Sequence, residues 1–194
     1  YNSSAKVLRV KNPNDFDFDK INNAFNSNIN EKVYWEDKKM NVLIPMAGAG
    51  SRFAQAGYTF PKPLIEVNGK PMIQVVVENL NIEANYTFIV QKDHYEKYSL
   101  QYLLNLIAPN CNIVQVDGLT EGAACTTLLA KEFIDNDAPL VMANSDQFVE
   151  WNSNECLYAF NADGIDGGIV SFKATHPKWS YAKVGDDGFV SEVA

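Results

Sequence analysis

The sequence is poor in the two residue types that most often hold zinc or form disulfides. It contains three cysteines and two histidines. Cys111, Cys125 and Cys156 are odd in number and form no close pair, so neither a disulfide framework nor a zinc knuckle fits them. We therefore expect buried thiols in a reducing cytoplasm. His94 and His176 have no partner at metal-ligand spacing, and we interpret both as structural or surface residues.

Positive charge and long apolar runs are also scarce. The 16 lysines and arginines are outnumbered by 24 aspartates and glutamates, which gives a formal net charge of −8. A nucleic-acid partner is not expected, because binding to a phosphate backbone needs a basic face. No membrane segment is expected either, because no apolar run approaches the ~20 residues that a spanning helix needs. A small phosphorylated ligand stays compatible with this composition, since it needs only a few well-placed cations.

The composition and the pattern of the sequence change near residue 40. Residues 1–39 are rich in asparagine and carry no chemistry that we can assign, so we interpret them as an N-terminal extension or as the tail of a preceding domain. In residues 40–194, turn-forming residues separate apolar segments at regular intervals, and we predict that these residues form the main domain. Their pattern stops in mid-course, and we expect this domain to be C-terminally incomplete.

From residue 41 onward, short apolar runs alternate with stripes of helical periodicity. The continuous run over 42–46 is typical of a strand buried on both faces, and leucines and isoleucine at 100, 103, 104 and 107 predict a helix. Further strands are predicted at 86–90, 113–116, 140–143 and 168–172, and further helices at 123–134 and 155–160. This alternation predicts an α/β fold, a three-layer Rossmann-like sandwich with a mostly parallel sheet and helices on both faces. Residues 182–191 predict a terminal β-hairpin.

The first buried strand is followed by a glycine loop, which is the segment Ala47-Gly48-Ala49-Gly50-Ser51-Arg52. Two glycines past a strand allow the backbone to approach a ligand closely, and N–H groups exposed there can bind phosphate oxygens. The pair alone is weak evidence. A dinucleotide fingerprint is excluded because Phe53 stands where a third glycine is needed, and a Walker loop is excluded because Gly69-Lys70 is followed by Pro71.

Two cations strengthen the signal of this loop. Arg52 ends the loop, and Lys62 lies between Pro61 and Pro63, which restrict the backbone on both sides. A planar guanidinium fork and a compact ammonium charge together suit the recognition of a polyphosphate. The sequence therefore predicts an anionic ligand beyond the carboxyl ends of the strands, where ligands bind in open α/β sheets.

The chain resembles the nucleotidyltransferases that activate sugar 1-phosphates and related phosphate esters in two runs, N-V-L-I-P-M-A-G-A-G-S-R-F and P-K-P-L-I-E-V-N-G-K-P-M-I. The signature of that family is a glycine-rich loop ending in Arg, then a Pro-Lys segment, then an acceptor-site strand. The resemblance spans roughly residues 40–194. It implies that Arg52 contacts the β- and γ-phosphates of a nucleotide and that Lys62 contacts its α-phosphate. It also implies that the nucleotide is held by the backbone of Ala47, Gly48, Ala49, Gly50 and Ser51.

The loop that follows the predicted strand at 113–116 begins a helix with small residues, which leave room for a flat ring on the backbone. Glu121 can accept hydrogen bonds from an exocyclic amine, but Thr120 and Glu121 are explained as well by helix capping and a first-turn position. In the family this segment reads the base and often carries Gln where this chain has Glu121. The resemblance therefore implies base contacts from Glu121 and Gly122 and a different base preference.

A carboxylate follows the predicted strand at 140–143. A lone Asp such as Asp146 is more often a turn former, but its place at the ligand edge favours Mg²⁺, which needs only one or two carboxylates beside substrate phosphates. The resemblance agrees, because the family's metal-binding Asp lies at this point. Tyr181 resembles the segment that borders the acceptor pocket, and core or edge packing stays open as its alternative role.

The resemblance implies transfer of a nucleoside monophosphate from a nucleoside triphosphate to a sugar 1-phosphate or similar small phosphate ester, with release of pyrophosphate. Mg²⁺ is the expected cofactor, and nucleotide-sugar biosynthesis for surface polysaccharides in the cytoplasm is the expected setting. Two alternatives stay open, a non-catalytic nucleotide-binding regulatory module and a glycosyltransferase of similar architecture. The sequence selects neither the base nor the acceptor, and it leaves homo-oligomerisation open.

Overall fold

The computed structural model describes residues 7–10, 40–48, 57, 60–160, 164–176 and 179–193. The chain divides into two compact units, one formed by residues 35–149 and the other by residues 1–34 together with 150–194. The larger unit contains a parallel sheet with helices, and the smaller unit contains paired strands and a helix.

The secondary-structure elements follow the predicted alternation. The strands are β1 (Val7–Val10), β2 (Met40–Pro45), β3 (Glu66–Val67), β4 (Lys70–Pro71), β5 (Ala84–Gln91), β6 (Asn112–Val116), β7 (Leu140–Met142), β8 (Gly167–Val170), β9 (Ala182–Val184) and β10 (Val190–Val193). The helices are α1 (Met72–Leu80), α2 (Lys92–Lys97), α3 (Leu100–Ile107), α4 (Ala123–Leu128), α5 (Lys131–Ile134) and α6 (Ser153–Phe160), and Lys62–Leu64 forms a 3-10 turn. No helix in the described ranges has the length and apolar character needed to cross a membrane.

A four-stranded parallel sheet forms the centre of the larger unit, in the order β6–β5–β2–β7. Val42, Leu43 and Ile44 on β2 are completely buried, which confirms the prediction of a strand covered on both faces. Because β5 lies on one side of β2 and β7 on the other, the chain reverses its direction across the sheet at β2. Such a reversal leaves a crevice beyond the carboxyl ends of the strands at which it occurs, here β2 and β7.

Helices cover both faces of this sheet. Leu43 on β2 and Ile89 on β5 point to one face, where they pack in one cluster with Ala130, between α4 and α5. Val42 and Phe88 alternate to the opposite face. The helices α1 and α3 belong to that face. They lie in the connections from β2 to β5 and from β5 to β6, which cross the sheet in one direction, whereas the connection from β6 to β7 contains α4 and α5 and crosses it in the other. Right-handed connections that run in opposite directions place their helices on opposite faces. The predicted three-layer Rossmann-like sandwich is confirmed.

Two helices differ from the expectation. The helix predicted over 123–134 is divided into α4 and α5, because the N–H groups of Leu129 and Ala130 donate to carbonyls three positions back and so form a 3-10 turn. This turn brings Ala130 into the core, where it is completely buried. The sequence does not predict α2, because this helix buries none of its residues and so has no apolar stripe.

The smaller unit is built from separate strand pairs. The strand β1 pairs in parallel with β8, and β9 pairs antiparallel with β10, so the predicted terminal hairpin is confirmed. The helix α6 buries Cys156 and Leu157. Because β1 lies within residues 1–39, part of that segment pairs with the region after residue 150. The rest of it falls outside the described residues, and the boundary at residue 40 stays a prediction.

Candidate functional site

A cleft of about 420 Å³ opens beyond the carboxyl ends of β2 and β7. Its position is the reversal point of the sheet, where ligands bind in open α/β folds, and its volume lies in the ~300–1,000 Å³ range of small-molecule sites. The lining residues come from three segments of the larger unit, namely Pro45, Ala47 and Gly48; Leu119, Thr120, Gly122, Ala123, Thr126 and Thr127; and Met142, Ala143, Asn144 and Gln147.

The glycine loop starts from a firmly held point. Ala47 is buried in the cluster that contains Leu43 and Ile89, and the Gln91 side-chain amide donates to the Ala47 carbonyl oxygen at 2.7 Å. The next residue, Gly48, is exposed and lines the cleft. The structure thus anchors Ala47, two residues past the end of β2, and the chain enters the cleft at the first glycine. Residues 49–52 of the loop, including Arg52, lie outside the described residues.

Two glycines that line the cleft are required neither by backbone conformation nor by packing. No described atom lies within 4 Å of a Cβ built on Gly48 or on Gly122. Gly122 has a φ of 174°, an extended value that any residue adopts, and Gly48 is outside the left-handed region as well. The space that a side chain would fill at both positions is therefore open to a ligand.

Apolar side chains complete the walls. Leu119 and Met142 line the cleft while 67% and 54% exposed, which gives a ligand apolar surface to cover. Glu121 is exposed and lies between two lining residues, but it does not itself line the cleft. Its predicted contact with a base therefore stays a prediction, whereas Gly122 lies where a ligand can reach its backbone.

The structure brings Lys62 and Asp146 together. The Lys62 ammonium forms an ion pair with Asp146 Oδ2, and the two side chains are 33% and 30% exposed. Lys62 starts the 3-10 turn, in which Leu64 N–H donates to Pro61 O at 2.8 Å, and Pro63 is buried. This turn holds the lysine at a fixed place, as the flanking prolines predict. Two residues that the sequence assigns to phosphate and metal binding are thus direct neighbours.

The loop that carries Asp146 forms one rim of the cleft. Ala143 N–H donates to Leu43 O at 3.0 Å, which holds the beginning of this loop against β2. Asn144 and Gln147 on either side of Asp146 both line the cleft. Among the described residues, no three His, Cys, Asp or Glu side chains lie close enough to share a metal. A single carboxylate fits Mg²⁺, which takes one or two carboxylates together with substrate phosphates and water.

The cysteines lie outside the set of lining residues, but one expectation about them is wrong. Cys125 is exposed, because α4 buries only Thr126 and leaves its other side chains at the surface. Cys111 is half-buried, and burial raises the pKa of its thiol. Cys156 is buried as expected, and burial raises the pKa of its thiol to about 12.

The histidines and Tyr181 also lie outside the lining set. His94 is half-buried, and burial lowers the pKa of its imidazole, while His176 is exposed. Tyr181 belongs to the smaller unit, where its hydroxyl donates to the His176 carbonyl oxygen at 2.8 Å. Its predicted place beside an acceptor stays a prediction.

Several lining or supporting residues have no counterpart in the sequence motifs. They include Gln91, Thr126, Asn144 and Gln147. Their positions along the chain could have indicated a role in ligand contact. Gln91 ends a strand adjacent to β2, and Asn144 and Gln147 flank the carboxylate that follows β7. Polar residues just past the carboxyl ends of parallel strands are candidates for ligand contact in this fold class.

Comparison with known proteins agrees with this geometry. The profile of the nucleotidyl transferase family matches residues 41–190. The chain belongs to this family. The mannose-1-phosphate guanyltransferase of Schizosaccharomyces pombe is 29% identical over 147 residues, which are 71% of this chain and 39% of that protein. The enzyme of the same name from Hypocrea jecorina is 31% identical over 142 residues, with the same shares.

The nucleotidyl transferase match runs from β2 to the first residue of β10, so the cleft-lining residues and the Lys62–Asp146 pair lie inside it. The chain spans about two fifths, 39%, of the length of the curated relatives it matches. A nucleoside-diphosphate-sugar pyrophosphorylase from Vibrio cholerae RC9 superposes with a TM-score of 0.60 at 24% identity, over 79% of this chain and 66% of that one. This likeness supports the fold.

Proposed function

We propose that this nucleotidyl transferase moves a nucleoside monophosphate from a nucleoside triphosphate to a sugar 1-phosphate or similar small phosphate ester and releases pyrophosphate. The observation that carries the proposal is the Lys62–Asp146 pair, in which Asp146 lies on the loop between the cleft-lining residues Asn144 and Gln147 and Lys62 starts the 3-10 turn. A cation and a carboxylate at the edge of an open, glycine-walled cleft suit a nucleotide and its metal. The names of the two guanyltransferase relatives support the same reaction.

The nucleoside would occupy the cleft, and the phosphates would extend toward Lys62. The open space at Gly48 and Gly122 lets a ring and a phosphate approach the backbone, while Leu119 and Met142 supply apolar contact. By its family signature, Arg52 would contact the β- and γ-phosphates from the end of the glycine loop. The nucleoside would then contact apolar side chains at one end of the site, and the phosphates would contact cationic side chains at the other.

The chemistry needs no catalytic base. A phosphate-monoester oxygen of the acceptor attacks the α-phosphorus, a new P–O bond forms, and the bond from that phosphorus to the bridging oxygen breaks. Pyrophosphate leaves with the electron pair. The acceptor phosphate carries ~1.5 to 2 negative charges at neutral pH, so its oxygen is already a nucleophile.

Rate enhancement would come from positioning and charge neutralisation. Lys62 would leave Asp146 for the α-phosphate, because a triphosphate is the more highly charged partner. Asp146 would then be open to hold Mg²⁺, which supplies Lewis-acid neutralisation of phosphate charge when it is bound. The ion pair holds the two side chains next to each other, where this exchange would begin.

We extend the proposal to the setting that the sequence indicates. Hexose 1-phosphates are the acceptors to try first, since both guanyltransferase relatives are named for mannose 1-phosphate. A cytoplasmic location, where nucleoside triphosphates are available and thiols stay reduced, and a role in supplying activated sugars for surface polysaccharides belong to the same proposal.

The test incubates the protein with each of the four common ribonucleoside triphosphates, Mg²⁺ and a panel of phosphate esters, and measures pyrophosphate. Mannose 1-phosphate, glucose 1-phosphate and phosphocholine belong in the panel, with free mannose as the matched control without a phosphate. We expect pyrophosphate for at least one pair and none with free mannose. Nucleotide binding without pyrophosphate across the panel would favour a regulatory module, and turnover of a nucleotide sugar alone would favour a glycosyltransferase.

A further inference from the structure

Two threonine hydroxyls and one carbonyl oxygen form a hydrogen-bonded ring at the start of α4, which we call the threonine ring (Thr120, Gly122 and Thr126). The Thr126 hydroxyl lies 3.0 Å from Gly122 O, and the Thr120 hydroxyl lies 3.2 Å from the same oxygen. The two hydroxyls also hydrogen-bond to each other. One hydroxyl donates its proton to the other hydroxyl, and that second hydroxyl donates its own proton to the Gly122 oxygen. Both hydroxyl protons therefore have an acceptor within the ring.

The ring stands in the wall of the cleft. Its three members all line the cleft, and Thr126 is only 8% exposed, one of the buried polar side chains of the protein. Removing one partner from a buried hydrogen bond costs ~1–3 kcal/mol, because the remaining group stays desolvated. The ring therefore fixes the path of the chain from Thr120 to Gly122, including the exposed Glu121 between them.

Thr126 differs from an ordinary helical threonine. Threonine in a helix often donates to the carbonyl four residues back, and Thr127 does so with Ala123 O at 2.9 Å. The Thr126 hydroxyl makes the same kind of contact with Gly122 O, but it also reaches Thr120, which precedes the helix. Its side chain therefore ties a loop to the helix and does more than close one helical turn.

We propose that Thr126 is a positioning residue for nucleotide recognition, holding the Thr120–Gly122 wall of the cleft in the shape that receives the base. This inference rests on the proposed function and names the residue that sets recognition at the same site. Lys62 and Asp146 lie on other segments, so loss of the Thr126 hydroxyl is expected to weaken nucleotide binding and leave the chemical step nearly unchanged.

The test compares Thr126→Val, Thr126→Ser, Thr120→Val and the double valine variant. Isothermal titration with ATP, GTP, CTP and UTP in Mg²⁺ gives the four dissociation constants, and pyrophosphate release gives KM and kcat. For the preferred nucleotide we expect Thr126→Val to raise Kd and KM about fivefold to tenfold, the size of one lost hydrogen bond. The preference among the four nucleotides should narrow, and kcat should stay within about twofold.

The remaining variants separate positioning from folding. Thr126→Ser keeps the hydroxyl and should bind as the wild type does. The double valine variant should be little worse than either single variant, because the two hydroxyls act as one unit. The matched control is Thr87→Val, which removes a buried hydroxyl on β5 that accepts from Asn112 Nδ2 at 3.4 Å. It should lower stability without changing KM.

The inference is overturned if Thr126→Val binds all four nucleotides with wild-type affinity and preference, or if Thr126→Ser or Thr87→Val loses affinity to the same extent. Wild-type protein that binds nucleotide but releases no pyrophosphate would overturn the proposed transfer, while the ratios of dissociation constants would still decide the role of Thr126. Wild-type protein that binds none of the four nucleotides would overturn both.

Discussion

At the scale of single residues, the proposed chemistry depends on two charges that the backbone holds side by side. Lys62 and Asp146 are each about one third exposed, and ion pairs at such exposure contribute only ~0.2–1 kcal/mol to stability. The pair is therefore dispensable for folding, and the role that we propose for it is chemical. The buried Pro63 and the 3-10 turn keep Lys62 in position whether or not the pair is formed.

Replacement of Lys62 tests this view. Lys62→Ala should lower turnover ~10²-fold, the typical effect of removing one group that stabilises transition-state charge, while the thermal unfolding midpoint stays near the wild-type value. Asp146→Asn should act in the same direction. The matched control is Lys70→Ala, since Lys70 is also paired, with Glu78 at 2.7 Å, but its partner lies on α1 and not on the loop that carries Asp146. Near-normal turnover in Lys62→Ala would remove this residue from the mechanism.

At the scale of elements, the ends of β2 and β5 decide where the glycine loop begins. The sequence predicts β2 and α3 because their apolar patterns are local and unbroken. It does not predict the break between α4 and α5, which depends on burying Ala130 against the sheet. The hydrogen bond from Gln91 to Ala47 O cannot be predicted from the sequence either, because a side chain at the end of β5 makes it to the loop that follows β2.

Loss of the Gln91 amide should loosen the start of the glycine loop. Gln91→Leu removes the 2.7 Å hydrogen bond to Ala47 O, and we expect the free energy of unfolding to fall by about 1 kcal/mol. The KM for the nucleoside triphosphate should rise more than kcat falls. Gln101→Leu is the matched control, since it removes a hydrogen bond from the Tyr95 hydroxyl outside the cleft. Equal KM values in the two variants would contradict a role for Gln91 in the loop.

The start of β5 is held by a buried tyrosine that makes stability depend on alkaline pH. The Tyr86 hydroxyl donates to Ile82 O at 2.9 Å, and burial raises the pKa of Tyr86 to about 12. An unfolded tyrosine has a pKa of ~10. Because the folded pKa is the higher one, the stabilisation is complete below pH ~10 and is lost as the pH rises toward ~12.

Tyr86→Phe should therefore flatten the stability profile between pH ~9 and ~12. At pH ~8 the variant should be less stable by about 1 kcal/mol, since it lacks the hydrogen bond to Ile82 O. Denaturant unfolding at several pH values measures both effects, and the buried Cys156 thiol titrates equally in the two proteins. A variant whose stability falls with pH as steeply as that of the wild type would show that Tyr86 is not the group responsible.

At the scale of the whole molecule, the strand order determines where the cleft opens. The alternating pattern predicts the α/β class and the carboxyl edge of the sheet, and the motifs predict Lys62 and Asp146. The pairing of β1 with β8 is beyond sequence reasoning, because it joins two segments far apart in the chain. The net charge of −8 is no obstacle to a phosphate ligand, since the proposed site needs only a few well-placed cations, of which Lys62 is one.

The most direct test of nucleotidyl transfer is isotope exchange in the reverse direction. Wild-type protein, Mg²⁺, radiolabelled pyrophosphate and GDP-mannose, with the corresponding adenosine, cytidine and uridine diphosphate sugars in parallel, are incubated and the nucleoside triphosphates separated. We predict that label enters one nucleoside triphosphate and that Lys62→Ala suppresses this exchange ~10²-fold. Label that stays in pyrophosphate with every nucleotide sugar, while the folded wild-type protein binds nucleotide, would contradict the proposed transfer.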